Sequence, residues 1–497
     1  MFLTTFVLLT SITFGQGSFQ KTFLAIDKYI DSIMKDWNLP GLALGIVFKD
    51  KLIYSKGYGY RDLEKKLPVE STTLFPIASN TKLFTATVAA MLAEEGKINL
   101  DKPVRNYMPN LAFYNDELNA KVTLRDMLSH RVGLPTYNAI WVGTNASRKE
   151  AISKVVYMKP QLGFREGYIY NNMMYAAAGV VMENVINKTW EDILREKILR
   201  PLKMNASVFT DEDVKKHGNY SLAYVEHDST RKLIPKKFEA QSDALGPAGT
   251  LKSNVEDMSH WMIAQLNGGV YIENRVISEN AIKQTMIPNT ISDKEGRYDE
   301  LSKSLYALGR IIQTYKGYKI ASHTGSIDGF YSSLLFIPGQ QLGIYMVHNG
   351  EAGGNLRSVM ALPVIDRLLG LSYTPWSQRF LSDFKAGRAG DKRITDSINA
   401  TQVKGTMPSH PLPAYTGTYV SQLYGDIKID FINNALSMSF RKIFSPLSHW
   451  HYDQFITKEE QTDVPKFKLH FMTNDKGDID RISTRVFGDP VEVFVKK

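Results

Sequence analysis

Two strand hairpins lie far apart in this chain, and the long segment between them reads as helical. After Pro40, the apolar runs 42–48 and 52–58 flank the turn Lys49-Asp50-Lys51, and far downstream 334–337 and 342–347 flank Pro338-Gly339. Between them, 80–95, 122–130, 172–187, 189–200 and 253–266 carry helical spacing broken by Pro and Gly loops. Strand signals return only from residue 304 to 349. A hairpin cannot bury its apolar face alone, so the first and last segments must share one sheet, with the helical part packed beside it. An amphipathic helix over 19–37, with Phe23, Ile26, Ile30 and Ile33 on one stripe, is expected to cover that sheet. The fold class is therefore α+β (an α/β sandwich): an antiparallel sheet flanked by helices plus an inserted helical lobe.

The pattern changes after residue 374. Residues 375–410 are polar and charged with few apolar positions, and read as a linker. From 411 to 497 short alternating runs at 415–420, 426–431, 436–440, 467–472 and 491–495 are separated by turns such as Asn474-Asp475-Lys476-Gly477, which predicts a small all-β domain or barrel. The expected division is 16–374, 375–410 and 411–497, preceded by a signal peptide over 1–15. That leader carries no charged side chain from Met1 to Gly15, its apolar run is too short to span a bilayer, and Thr13 and Gly15 stand at −3 and −1 of a cut before Gln16. Export, to a secreted or periplasmic location, is the expectation. No later stretch is long and apolar enough to predict a stable membrane span.

Zero cysteines exclude a disulfide framework, a Cys nucleophile and Cys-ligated zinc or iron–sulfur clusters. Chemistry must come from oxygen and nitrogen groups. With 60 Lys and Arg against 51 Asp and Glu the net charge is +9, but the basic residues are interleaved with acids, as in Asp62, Glu64, Lys65 and Lys66, so no nucleic-acid partner is expected. No Gly-x-Ser-x-Gly elbow, Walker A loop or dinucleotide fingerprint occurs, and no cofactor is expected.

Ser79 and Lys82 stand three apart at the start of the 80–95 helix, where side chains share a face at roughly 5–6 Å between Cβ atoms. A desolvated amine beside a hydroxyl can act as its base, and a helix N-terminus favours the resulting oxyanion. The spacing is common: it recurs at Ser18/Lys21, Ser32/Lys35, Ser229/Lys232, Ser382/Lys385 and Ser439/Lys442. Two further patterns each occur once, Tyr170-Asn171-Asn172 and His323-Thr324-Gly325. Tyr170 can exchange a proton beside a cation, and Asn172 can hold a carbonyl or orient the lysine. Gly325 is expected to let a substrate backbone approach, and the Ser326 N–H to join the Ser79 N–H as an oxyanion donor.

With these motifs in order, the sequence resembles the serine β-lactamase and penicillin-binding-protein-like superfamily over about residues 20 to 370. It is closer to the branch of class C β-lactamases, D-amino-acid peptidases and esterases. Phe164-Arg165-Glu166-Gly167, Leu128-Ser129-His130 and Pro247-Ala248-Gly249 fall in that family's order too. The resemblance implies a site between two lobes, with Ser79 the acylated nucleophile, Lys82 and Tyr170 the proton-transfer pair, and Asn172, His323, Thr324, Gly325 and Ser326 the substrate-binding groups, without a metal. The third motif begins with His323 rather than Lys, which resembles D-Ala-D-Ala carboxypeptidases and D-aminopeptidases more than class C β-lactamases. Glu166 stands where the branch usually has Pro, and Arg131-Val132 replaces a small pair. The C-terminal segment resembles a small β-barrel appended to such enzymes in bacteria.

The expected activity is cleavage of amide or ester bonds of small, D-amino-acid-containing peptides through an acyl-enzyme; a small peptide, ester or β-lactam is the expected partner. A true class C-like β-lactamase and a non-catalytic peptidoglycan or peptide sensor are the alternatives. His449 and His451 share a strand face at a spacing that permits metal binding, with packing the simpler reading, and Asp126, His130 and His260 read as structural.

Overall fold

The computed structural model describes residues 16–227, 230–236, 243–293, 298–458 and 467–497. The expected leader and its cut before Gln16 lie outside the described residues. The main sheet has nine strands: β1 (Gly41–Phe48), β2 (Lys51–Asp62), β3 (Leu67–Pro68), β4 (Thr290–Asp293), β5 (Ser304–Tyr306), β6 (Ile311–Tyr315), β7 (Tyr318–Ile327), β8 (Phe330–Ile337) and β9 (Leu342–His348), ordered β4-β5-β6-β7-β8-β9-β1-β2-β3. β1 pairs antiparallel with both β2 and β9, with Leu42 opposite His348 and Phe48 opposite Leu342. The two hairpins that are remote in sequence thus join at the centre of one sheet.

Alternation along β1 explains the layers. Leu42, Leu44 and Ile46 pack with Ile26, Ile30 and Ile33 of α1 (Gln16–Asp36) and with the helix Leu362–Leu369. Ala43 and Val47 face the opposite core, with Val255 and Met262 of the helix Val255–Leu266. Gly45 is a close-approach position, because a Cβ there would sit 2.6 Å from Val255 Cγ1. Ile26, Ile30, Ile33 and Trp37 are buried almost completely, and burying each contributes about 1.5–3 kcal/mol. The helical lobe follows β3, and its longest helices are α2 (Thr81–Glu94) and α3 (Asn172–Ile186), both dominated by buried apolar side chains.

Residues 375–410, expected as a linker, hold a 25-residue helix, Trp376–Ala400. Its first turns belong to the main core: Trp376 is buried and donates Nε1–H to Tyr315 Oη at 2.9 Å, and Ser377 Oγ accepts from Trp37 Nε1 at 2.9 Å. Trp376, Phe380 and Phe384 recur every four residues, an apolar stripe that the charged residues between them hide in composition. Eight antiparallel strands from Gly417–Ser421 to Glu492–Lys496 then close into a barrel around Tyr419, Ile429, Phe455, Phe471 and Phe494. His449 Nε2 bonds the Tyr452 carbonyl and His451 Nδ1 accepts from the Val403 N–H, so the two rings serve different loop contacts. Among the described residues no group of three His, Cys, Asp or Glu is placed to hold a metal, and no helix is long and apolar enough to cross a membrane.

Candidate active site

A strained turn delivers Ser79 to the base of α2. Ala78 has φ +49°, a left-handed conformation that side-chain-bearing residues rarely adopt. The turn is held on several sides: Ile77 N–H bonds Leu251 O at 3.0 Å, and Ser332 Oγ donates to Ile77 O at 2.8 Å while accepting from Asn80 Nδ2 at 2.8 Å. Gly325 on β7 lies against the same turn. A Cβ there would come within 2.2 Å of Ile77 O and 2.4 Å of Ser332 Oγ. The glycine is therefore required by the chain's own backbone.

One helical turn on, the Lys82 side chain is fully buried. Its Nζ is 3.0 Å from Ser79 Oγ, 2.8 Å from Asn172 Oδ1 and 2.7 Å from Ala248 O. It also lies over the rings of Tyr170 and Tyr175, at 4.7 and 5.4 Å from their centroids. Burial pushes the ammonium well below its ordinary pKa. The partner set then defines the proton chemistry. The Ala248 carbonyl and the Asn172 amide oxygen can only accept, so a neutral Lys82 amine gives its two hydrogens to them and turns its lone pair to the Ser79 hydroxyl.

Tyr170 is placed by the residues around it. Asn171 caps α3 by accepting from Met174 N–H at 3.1 Å, and its own N–H donates to His130 Nδ1 at 3.1 Å. The His130 ring packs on Tyr170 with centroids 4.4 Å apart. Burial holds its imidazole well below the usual pKa, so it is a neutral support behind the tyrosine. Beneath it, the buried Asp126 carboxylate accepts from Arg131 Nε at 2.6 Å and from Arg165 Nε and Nη2 at 2.8 Å each. Burial opposes ionisation of Asp126, but the Arg165 bonds, the Thr123 hydroxyl and both guanidinium charges prevail and lower its pKa. Arg131 and Arg165, together with the Gly163 N–H to Glu166 bond at 2.9 Å, join the loops that precede Tyr170. This gives the two unusual sequence positions a structural account.

His323 is only 4 % exposed and meets Tyr306 Oη at 3.0 Å through Nε2 and the Thr324 carbonyl at 2.7 Å through Nδ1. Burial, followed by neighbouring tyrosines, raises the Tyr306 pKa far above its ordinary value. The Thr324 carbonyl only accepts, so Nδ1–H donates to it, and in the neutral ring Nε2 then accepts from the Tyr306 hydroxyl. Of the third motif, Ser326 reaches the cleft. That cleft, about 230 Å³, is lined by Ala78, Ser79, Asn138, Trp141, Asn172, Leu245, Ala248, Gly249, Ser326 and Ile327. Asn138, Trp141, Leu245 and Ile327 carry no sequence pattern of their own; the first three come from short turns and their ends, and Ile327 from the end of β7. The Ala248 carbonyl had a weak signal in Pro247-Ala248-Gly249, but a backbone acceptor has no side-chain signature.

Comparison with known proteins matches this architecture. A family model described as beta-lactamase covers residues 26–365. The chain belongs to the beta-lactamase family. A second model, described as a domain of unknown function, DUF3471, covers residues 401–494 and so coincides with the barrel. Among similar proteins are protein flp of Staphylococcus aureus strain N315, 27% identical over 329 residues, 65% of this chain and 62% of that protein, and unguisins hydrolase ungD' of Aspergillus campestris, 26% identical over 408 residues, 79% and 75%. The chain thus spans under two thirds of the length of the Staphylococcus relatives it matches. Similar folds occur in an octameric penicillin-binding protein homologue from Pyrococcus abyssi (TM-score 0.63, 22% identity, 95% of this chain and 99% of that one) and in a D-amino acid amidase from Ochrobactrum anthropi SV3 (0.56, 20%, 69% and 98%).

Proposed function

We propose that this beta-lactamase-family chain hydrolyses amide or ester bonds of small peptides containing D-amino acids, through an acyl-enzyme at Ser79. The observation that carries the reading is Lys82: a buried amine with a lowered pKa whose other two partners accept only, 3.0 Å from Ser79 Oγ. Lys82, with Tyr170, takes the Ser79 proton as Oγ bonds to the carbonyl carbon, and returns it to the amine or alcohol as the C–N or C–O bond breaks. Water then attacks the ester, its proton passes to the same pair, and Ser79 is released protonated. Asn172 orients the amine, and the Ser79 and Ser326 amides stabilise the oxyanion. His323 and Thr324 act from behind, through the strand that carries Ser326.

D-residue substrates are supported by His323 at the head of the third motif and by the kinship in fold with a D-amino acid amidase. Among the described residues that line the cleft none is formally charged, which suits a neutral amide or ester. The uncharged leader 1–15 supports export, checked by the mass of protein recovered outside the cytoplasm.

The test is intact mass after brief exposure to a fluorophosphonate, with Ser79→Ala as control, followed by turnover of paired D- and L-amino acid amides. The reading expects one adduct, lost in the variant, and faster cleavage of the D-amide. No adduct, or equal labelling of Ser79→Ala, sinks it. Efficient turnover of a cephalosporin with release of free enzyme would move the assignment to a β-lactamase.

A further inference from the structure

One wall of the cleft is held from outside the hydrolase domain. Tyr137 adopts a left-handed conformation and opens a single 3₁₀ turn, Asn138–Ile140, whose first two amides point to the barrel. There Asp489, only 1 % exposed, accepts Asn138 N–H at Oδ1 (2.8 Å) and Ala139 N–H at Oδ2 (2.7 Å), and takes a third bond from Tyr424 O–H at 3.1 Å. Arg441 closes the other end of the loop, donating to Val142 O at 2.5 Å and to Tyr424 O at 3.2 Å. A carboxylate on the first amides and a guanidinium on the last carbonyl complement the charge at both ends of the segment.

The clamped segment carries Asn138 and Trp141, and both line the cleft beside Ser79 and Asn172. Asn138 Oδ1 and Trp141 Nε1 are buried atoms with no hydrogen-bond partner among the described residues. With Leu245 and Ile327 these two residues give the cleft beside Ser79 an uncharged wall that suits a neutral, apolar acyl residue.

We infer that the C-terminal barrel is a positioning element of the active site: Asp489 and Arg441 hold Asn138 and Trp141 in place to select an apolar acyl residue. This rests on the reading of Ser79 as nucleophile. Asp489 and Arg441 are positioning residues that act through the 137–142 segment.

The full chain is tested as Asp489→Ala, Asp489→Asn and Trp141→Ala, singly and as Asp489→Ala/Trp141→Ala. Substrates are an N-acetylated apolar D-amino acid ester and p-nitrophenyl acetate, which has no acyl side chain. For Asp489→Ala, KM for the long ester rises about tenfold, well beyond any change with the acetate, as expected when charge-assisted bonds ordering the segment are lost. Asp489→Asn, which keeps the shape and one acceptor, recovers part of that loss. In the Trp141→Ala background Asp489→Ala adds a smaller loss than it causes alone, because only Asn138 is left to be misplaced. Equal losses on both substrates, or additive losses, overturn the inference. Hydrogen exchange of the Asn138 and Ala139 amides supplies a readout independent of turnover: faster exchange in Asp489→Asn, confined to 137–142, supports the clamp, and unchanged exchange rejects it. If fluorophosphonate fails to label the wild type, the Ser79 reading fails while the exchange data still decide the clamp.

Discussion

Lys82 Nζ lies 3.0 Å from Ser79 Oγ, and its two other partners, Ala248 O and Asn172 Oδ1, have no hydrogen to give back. The hydroxyl of Ser79 is the one neighbour in this set that can donate to a neutral amine. Lys82→Met and Lys82→Arg are both expected to lower kcat/KM by about 10²–10⁴-fold, because each removes a base of suitable pKa. The arginine variant separates the roles of charge and base: it keeps a cation that does not deprotonate. Activity retained in Lys82→Arg would show that charge alone suffices.

The same buried amine makes stability depend on pH. The folded pKa of Lys82 is lowered by burial, so the unfolded chain binds the proton more tightly, and stability rises with pH between the folded value and the unfolded value of about 10.4. Below the folded pKa the penalty is fully present. Measured against Lys82→Met, the wild-type Tm is therefore expected to gain on the variant as pH is raised from neutrality toward 10. A difference that is flat with pH would contradict the direction assigned to Lys82.

Asp126 gives the opposite dependence. Its folded pKa is lowered, so its contribution is present above the unfolded value of about 3.9 and is lost as pH falls toward the folded value. Asp126→Asn is expected to cost about 2 kcal/mol at pH 7, less than a fully buried pair because Arg165 is half exposed. Urea unfolding at pH 7 and at pH 3 checks this: the gap between wild type and variant should shrink in acid. The variant should also lower kcat, since Arg131 and Arg165 tie down the loops leading to Tyr170.

Gly325→Ala would place a methyl group 2.2 Å from Ile77 O, so the strand or the turn before Ser79 must shift. Overpacking of this kind costs about 1–3 kcal/mol. The expected signature is a fluorophosphonate labelling rate that falls more than Tm does, because the displaced group is Ile77–Ala78 itself. Gly317→Ala, at a turn with nothing near its Cβ but φ +86°, controls for backbone strain without contact with the site.

Tyr306→Phe removes the hydroxyl that bonds His323 Nε2 at 3.0 Å inside the core. Losing a donor to a buried ring nitrogen costs about 1–3 kcal/mol, read by thermal or urea unfolding. Substrate affinity is expected to change less than stability, because His323 is buried behind Tyr170 and Ser326 is the member of its motif that lines the cleft.

Local pattern carried much of this molecule. The two hairpins, the stripe Ile26-Ile30-Ile33, the buried α2 and α3, and the alternating runs of the barrel are legible because periods of 2 and 3.6 residues report which face is covered. The pairing of Ser79 with Lys82 is legible for the same reason: positions three apart on a helix share a face. Other features were hidden. The Trp376–Ala400 helix has its apolar stripe diluted by charge, and the motif glycine Gly325 answers to Ile77, a contact between residues far apart in the chain.

What the sequence by itself determined is most of the elements, the family, and the residue types able to do acyl-transfer chemistry. Only the tertiary structure decided that Lys82 is dry, that Ala248 and Asn172 leave its lone pair to Ser79, and that Asp489 in the barrel holds Asn138 and Trp141 against the cleft. The reason is physical: periodicity encodes which face of an element is buried, whereas desolvation and hydrogen-bond direction depend on backbone atoms and on loops brought together from distant parts of the chain.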